Sequence, residues 1–227
     1  MKFDLVEIWS HMTILNKIII VGLLAMSVFS FYVIITRIFT FRAATEQSIR
    51  YVQALGEHLK QHRIDEALRA AKIANKSPVA KVMEAGLTAL TQGRDALAKE
   101  GPHDVGNFDL VDSVNRALER VKERETSNLR TGLPFLGTVA SSTPFIGLLG
   151  TVIGIMGAFQ TLEKEASINK IAPAISEALI ATAVGLGVAI IAAMAFNFFT
   201  SRVEQFVVDM NDVSSEFIDY VLREGRP

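Results

Sequence analysis

The stretch TPFIGLLGTVIGIMGAFQTL (143–162) decides the fold of this chain. It carries no charged residue, and Gly147, Gly150, Gly154 and Gly157 recur at spacings of three, four and three, which places them on one face of a helix. In water each glycine would cost such a helix about 1 kcal/mol relative to alanine. Four glycines on one face therefore indicate a membrane helix whose neighbours approach its backbone closely.

The composition narrows the class of protein. The 227 residues are 50% hydrophobic, with a mean hydropathy of +0.32 and a net charge of −1. There is no cysteine, which excludes disulfides and thiolate metal sites. Of the four histidines only His58 and His62 share a helical face, and no HExxH motif surrounds them, so we expect no metal site. No nucleophile motif or glycine-rich phosphate loop is present, and we do not expect an enzyme.

Three segments are long enough to cross a bilayer, which takes about 20 apolar residues. Ile18–Thr36 and Thr131–Leu162 contain no charge, and Ile171–Ser201 is interrupted only by Glu177. The first segment is longer than the apolar core of a signal peptide and follows acidic residues, so we interpret it as a retained span. The sequence predicts an all-α membrane protein with three transmembrane helices and a helical cytoplasmic segment.

The distribution of basic residues predicts the topology. Of 23 Lys and Arg residues, 16 lie between Arg37 and Arg130, which places that segment in the cytoplasm. The N-terminus is then external, with Trp9 at the interface, and the C-terminus is cytoplasmic. The expected segments are an external N-terminus (1–17), helix 1 (18–38), a cytoplasmic helical domain (39–130), helix 2 (131–162), an external loop (163–170), helix 3 (171–201) and a cytoplasmic C-terminal helix (202–227).

Helix signals divide the cytoplasmic segment. Ser77 and Pro78 are typical of an N-cap followed by the first helical residue. We expect that helix to stop at Gly93 and a loop to follow at 99–107, where glycine and proline cluster. From Asp109 onward we expect one charged helix that runs straight into the second span.

The three spans differ in side-chain size. The first is bulky and suits a lipid-facing position. The second and third are rich in small residues, and in the third these include Gly185 and Gly187. Because small residues let membrane helices pack closely, we expect the long second and third helices to form the interior and to line the pore of a homo-oligomer.

Two threonines lie at matching depths in the second and third spans. Thr151 lies 11 positions before Leu162, and Thr182 lies 11 positions after Ile171. In antiparallel helices both hydroxyls would lie about 16 Å below the connecting loop, near the bilayer middle. Either hydroxyl can also bond back to the carbonyl four residues earlier, and that alternative stays open.

Two prolines lie in the second span. Pro134 and Pro144 would each free a backbone carbonyl and bend the helix. Ser141, Ser142 and Thr143 are placed to satisfy what Pro144 frees.

Glu177 is the one carboxylate inside a predicted span. A charge at a helix centre costs roughly 2.5–3.5 kcal/mol, and such residues usually mark an ion path. The alternative is that its side chain reaches to the outer interface, since Ile171 is only six residues away. Below Glu177 the spans offer no second carboxylate, so a proton path through this chain needs one from a partner.

Two segments together resemble a known signature. GLLGTVIGIMGAF (147–159) followed by APAISEALIATAVGLGVAI (172–190) is similar to the paired motif of the MotA/TolQ/ExbB proton channel family, and the three-span plan is that of its TolQ/ExbB branch. The resemblance implies that Thr151 lines the pore and that Glu177 and Thr182 match the family's Glu and Thr. It also implies a pentamer around a single-span partner of the ExbD/TolR type, whose membrane Asp carries the proton, in a bacterial inner membrane. No cofactor is implied besides the transported ion.

Two hypotheses of function follow. The first is a stator subunit of a motor driven by the proton motive force, which transmits energy to the cell envelope for TonB-type transport, Tol-Pal-type maintenance or gliding motility. The second is a non-conducting membrane scaffold that assembles by glycine-rich packing. The sequence leaves open the driven partner, the choice between protons and sodium, and whether Glu177 relays protons or only holds hydrogen bonds.

Overall fold

The protein was analysed as a computed structural model that describes residues 12–100, 110–164 and 168–224. Within these ranges the regular secondary structure is entirely helical, as the sequence predicts. The helices are α1 (Ile14–Lys60), α2 (Ile64–Ile73), α3 (Pro78–Glu100), α4 (Leu110–Arg130), α5 (Leu133–Lys164) and α6 (Ile168–Glu224).

Three of the helices in the described ranges, α1, α5 and α6, are long and apolar enough to cross a membrane. Each contains one of the three uncharged or nearly uncharged segments of the sequence. Two of them continue far beyond a bilayer thickness, since α1 has 47 residues and α6 has 57. The chain therefore has the three membrane-spanning helices that the sequence predicts.

The chain divides into two compact units. Unit 1 contains Met1–Thr36 and Gly132–Phe199, and unit 2 contains Arg37–Thr131 and Thr200–Pro227. Unit 2 is a helical domain with an apolar core, formed where the amphipathic faces of its helices meet. Its largest fully buried side chains are Met83, Leu87, Leu90, Leu118, Met210 and Phe217.

Local signals set the helix ends within unit 2. The Ser77 hydroxyl accepts a hydrogen bond from the Ala80 N–H at 3.0 Å, so the predicted N-cap before Pro78 is confirmed. Between α1 and α2 the chain turns at His62, which adopts a left-handed φ of 54°. His58 and His62 therefore do not share a helical face, because only His58 lies in a helix.

Two predicted boundaries in this region are wrong. Helix α3 does not stop at Gly93 but continues to Glu100, because good helix formers on both sides outweigh one glycine. Residues 101–109, most of the predicted loop, lie outside the described residues, whereas Lys99 and Glu100 are helical. Helix α4 does not run into the second span either. Gly132, at a φ of 80°, ends it, and α5 begins at Leu133.

In unit 1 the first span has two faces. Its buried face recurs at helical spacing and contains Asn16, Ile20, Leu23, Ser30 and Val33, with the buried Met12 just before the helix. Its exposed face is bulky and apolar, as expected for contact with lipid, and contains Ile18, Val21, Leu24, Val28, Phe31 and Ile35. The first span thus exposes an apolar face, but it also packs with Ala181 of α6 through Met12 and Ile20.

Candidate functional site

Helices α5 and α6 are in backbone contact at two glycines. A Cβ atom on Gly185 would lie 2.6 Å from the Thr143 carbonyl oxygen. A Cβ atom on Gly147 would lie 2.9 Å from the Ala181 carbonyl oxygen. Neither position has room for a side chain, because backbone oxygens cannot turn away.

Two further glycines of α5 face alanines of α6. A Cβ atom on Gly150 would lie 2.8 Å from the methyl carbon of Ala181. A Cβ atom on Gly154 would lie 2.6 Å from the methyl carbon of Ala178. We refer to Gly147, Gly150, Gly154 and Gly185 as the glycine interface. Its close approach leaves almost no free volume between the two helices, as expected where membrane helices pack through small residues.

Gly157 and Gly187 are not part of the glycine interface as defined here, since a Cβ atom on either would meet no described atom within 4 Å.

The Thr182 hydroxyl bridges the two helices. It donates a hydrogen bond to the Gly147 carbonyl oxygen at 2.9 Å, 35 residues away in the sequence. The sequence left open that each threonine hydroxyl bonds to a carbonyl of its own helix. The Thr182 hydroxyl instead bonds to the neighbouring helix. The hydroxyl of the buried Thr151 does bond within its own helix, since it donates to the Leu148 carbonyl at 2.7 Å.

The two threonines lie at nearly the same level. Gly150 faces Ala181, and the helices are antiparallel, so Thr151 and Thr182 lie one position to either side of this pair. The two threonines are therefore separated along the helix axes by the rise of two residues, about 3 Å. Each hydroxyl donates its proton to a backbone carbonyl, so each keeps only lone pairs for another group.

Glu177 is buried, with 7% of its surface exposed. It precedes Ala178, which touches Gly154 in the glycine interface, and lies about 7.5 Å along α6 from Thr182. The side chain is therefore largely covered by its neighbours in unit 1.

The prolines behave differently from one another. Pro144 lies inside α5, as expected. Pro134 lies in the first turn, where a helix needs no N–H donor, so the bend predicted there is wrong.

The hydroxyls of the three residues before Pro144 do not bond to the backbone carbonyl that the proline frees. Pro144 deprives the Ala140 carbonyl of its helical donor. Ser141 donates to the Gly137 and Thr138 carbonyls, Ser142 to that of Thr138, and Thr143 to that of Val139. None of these four bonds reaches the Ala140 carbonyl.

Asn16 is a buried polar residue that the sequence analysis missed. Its side chain is 1% exposed, and its Nδ2 atom lies 3.2 Å from the Cβ position of Gly154. The uncharged segment that predicts the first span begins at Ile18, after Lys17, and so excludes Asn16, whereas α1 begins at Ile14. One asparagine within ILNKIII (14–20), at helical spacing from Ile20 and Leu23, was the available signal.

The described side chains offer no metal centre. Among the residues that the structure describes, no three His, Cys, Asp or Glu side chains cluster as ligands. Near the glycine interface, the polar side chains singled out among the described residues are the hydroxyls of Thr151 and Thr182, the carboxyl group of Glu177 and the amide of Asn16.

The part of the sequence that contains the glycine interface matches a known protein family. The sequence profile of the MotA/TolQ/ExbB proton channel family matches residues 74–212. The chain belongs to this family. The match covers α5 and most of α6, including Thr151, Glu177 and Thr182, but not Asn16.

Individual members of the MotA/TolQ/ExbB family are similar over different lengths. The Tol-Pal system protein TolQ of Haemophilus influenzae is 43% identical over 118 residues, 51% of this chain and 52% of TolQ. The TolQ of Pseudomonas aeruginosa is 43% identical over 110 residues, 48% of each chain. The matched part thus spans about half the length of these two relatives. The biopolymer transport protein ExbB of Xanthomonas campestris pv. campestris strain B100 is 32% identical over 206 residues, 86% of this chain and 79% of ExbB.

Family membership and the three apolar helices together make this chain a multi-pass membrane protein. The similarity to both TolQ and ExbB supports the TolQ/ExbB branch of the family.

Proposed function

We propose that this chain is the channel-forming stator subunit of a bacterial inner-membrane motor driven by the proton motive force. Ions pass along the polar layer of Thr151, Thr182 and Glu177, and the energy released does work on the cell envelope. The observation that carries the proposal is the hydrogen bond of Thr182 across the tightly packed α5–α6 contact, with the buried Thr151 and Glu177 on the same two helices, within the part of the chain that matches a proton channel family. Each proton that falls through 100 mV supplies about 2.3 kcal/mol.

The chain acts with partners. The described parts of the second and third spans offer no further titratable carrier. No Asp, Glu, Lys, Arg or His lies between Leu133 and Gln160 on α5, or between Glu177 and Ser201 on α6. A proton carrier deeper in the membrane must then come from another chain. We propose a homopentamer around a single-span partner of the ExbD/TolR type, whose membrane Asp meets Thr151 and Thr182. The apolar surfaces of α5 and α6, which include Leu148, Met156, Leu186 and Met194, suit contacts between copies.

The hydroxyl geometry supports this role. Since both threonines use their protons on backbone carbonyls, their lone pairs accept a hydrogen bond from a protonated carboxyl group. The same lone pairs suit a sodium ion, which oxygen atoms also coordinate. Ion identity is therefore an outcome of the experiment below.

We propose the topology that the basic residues predict, with 39–130 and 202–227 in the cytoplasm and 163–170 outside. The chain has no native cysteine, so single cysteines can be introduced at will. An impermeant thiol reagent should label a cysteine at position 166 in intact cells and leave one at position 95 unlabelled. The reverse pattern would refute this orientation.

The function is tested by ion uptake into vesicles that contain the chain with its single-span partner, under an imposed potential. Wild type should take up protons, and Glu177→Ala and Thr182→Val should reduce uptake at normal complex yield. Glu177→Gln separates charge from hydrogen bonding. The control is Thr36→Val, because the Thr36 hydroxyl bonds back to the Tyr32 and Val33 carbonyls of its own helix.

The outcomes distinguish the hypotheses. Uptake of sodium but not protons would change the ion and keep the channel. No uptake by wild type, with a stable assembled complex, would refute the channel and favour the scaffold, in which the glycine interface serves packing alone.

A further inference from the structure

Asn16 is buried in a way that packing alone does not explain. Its side chain is 1% exposed, and its Oδ1 atom has no hydrogen-bond partner among the residues that the structure describes. A buried acceptor without a donor destabilises a fold, and an apolar side chain in the same place would avoid that cost.

The comparison with Ser30 on the same helix makes the point sharper. Ser30 is also buried, at 3% exposed, but its hydroxyl donates to the Met26 carbonyl at 2.8 Å. Ser30 is thus satisfied within its own helix. Asn16 uses its backbone N–H in a bond to the Thr13 hydroxyl at 3.3 Å, and its side-chain carbonyl is left for another group.

The position of Asn16 brings α1 to the polar layer. The Asn16 Nδ2 atom and the Ala178 methyl carbon both lie within 3.2 Å of the point where a Gly154 Cβ atom would be. The residue before Ala178 is Glu177, which is buried in the same bundle. The amide of Asn16 therefore lies at about the level of Glu177 along α6, beside its chain neighbour Ala178.

We propose that Asn16 is a positioning residue of the ion pathway. Its side-chain carbonyl accepts a hydrogen bond from an O–H donor in the layer of Glu177, either a water molecule or the acid form of a carboxyl group. Helix α1 then forms a third wall of the pathway there, in addition to contacting lipid. This inference rests on the proposed channel function and adds to it a residue outside the matched family range of 74–212.

The test uses the full complex of the chain with its single-span partner in vesicles. Asn16→Leu removes the amide and fills its space, whereas Asn16→Ala removes the amide and leaves the space empty. Asn16→Asp keeps an acceptor oxygen. The control is Ser30→Ala, which removes a buried hydroxyl from the same helix. Proton uptake per assembled complex and the thermal stability of the complex are measured for each variant.

We expect Asn16→Leu and Asn16→Ala to lower uptake about tenfold, the rate equivalent of one lost hydrogen bond. At least one of them should keep the thermal stability of wild type, because the Asn16 Oδ1 atom accepts no hydrogen bond from a described residue that would be lost. Asn16→Asp should retain most of the uptake, and Ser30→Ala should leave it unchanged. A residue with only a structural role would not lower transport at constant stability.

A double mutant identifies the donor. If Glu177 is the donor, Asn16→Leu has no further effect on the residual uptake of Glu177→Ala, which has no side-chain donor; if water is the donor, the two effects multiply. No uptake by wild type would refute the channel function and this inference with it. Normal uptake by both amide-free variants in a conducting complex would overturn this inference alone. So would a loss of uptake that only follows a loss of stability, or one that Asn16→Asp fails to restore.

Discussion

The substitution Gly185→Ala tests the glycine interface most directly. The new methyl carbon would lie 2.6 Å from the Thr143 carbonyl oxygen, whereas ordinary contacts begin at 3.4 Å, so α5 and α6 must move apart by about 0.8 Å. That movement stretches the Thr182–Gly147 hydrogen bond from 2.9 Å past the length at which it contributes.

The free-energy change can be worked from these displacements. Overpacking of this kind costs about 1–3 kcal/mol, and an interhelical hydrogen bond in a membrane protein is worth about 0.6 kcal/mol. Replacing glycine by alanine in a helix returns up to about 1 kcal/mol. We therefore expect Gly185→Ala to lower the free energy of unfolding by about 1–3 kcal/mol.

The assay is reversible unfolding of the purified chain in detergent, followed by circular dichroism. Gly187→Ala and Gly22→Ala are matched controls, because a Cβ atom on either glycine meets no described atom within 4 Å. Both controls should be neutral or stabilising by up to about 1 kcal/mol. Equal stability of Gly185→Ala and Gly187→Ala would refute the reasoning, since it would mean that the close backbone approach is not present in solution.

Three further predictions concern unit 2 and use the same unfolding assay. Glu125 is buried and bonds to Lys81 at 2.8 Å and Asn128 at 2.9 Å, so Glu125→Ala should destabilise by about 1–3 kcal/mol. The control Glu119→Ala, which loses a more exposed pair with Lys122, should change stability by less than about 0.5 kcal/mol. Tyr51 is buried, its hydroxyl lacks a partner among the described residues, and burial, with the charge of Glu84 second, raises its pKa. Tyr51→Phe should therefore be neutral or stabilising, and a clear loss of stability would reveal a partner for the hydroxyl. Burial, and then the charge of Asp212, raise the pKa of Asp209 above its unfolded value, so its ionised form opposes folding. Asp209→Asn should stabilise the chain at pH 7 and lose this advantage below about pH 4, where the unfolded carboxyl is protonated too; a gain that is the same at both pH values would contradict this cause.

The spans and their helical nature could be predicted because they depend on composition alone. Long uncharged segments have few other structures available, and small residues show which helices pack closely. The near-equal level of Thr151 and Thr182 also followed from counting residues in antiparallel helices of fixed rise.

The hydrogen-bond partners of the polar residues could not be predicted, because they depend on how each helix is rotated about its axis. The bond from Thr182 to Gly147 requires that Thr182 face α5, and counting residues does not determine this rotation. The role of a glycine depends instead on its backbone conformation, since Gly93 continues a helix whereas Gly132 ends one at a positive φ. Asn16 was missed because the charge of Lys17 placed the start of the span too late.

The hydrogen bonds of Thr151 and Thr182 have an electrostatic consequence. Both hydroxyl protons are held by backbone carbonyls, so this layer presents oxygen lone pairs and no donors from these two residues. A neutral carboxylic acid can donate to such a layer, whereas a carboxylate would face only negative ends of dipoles in a medium of low dielectric constant. The layer therefore raises the energy of the charged form relative to the neutral one. On the proposed channel function, we expect an acid at this level to hold its proton more tightly than it would beside hydrogen-bond donors elsewhere in the bundle.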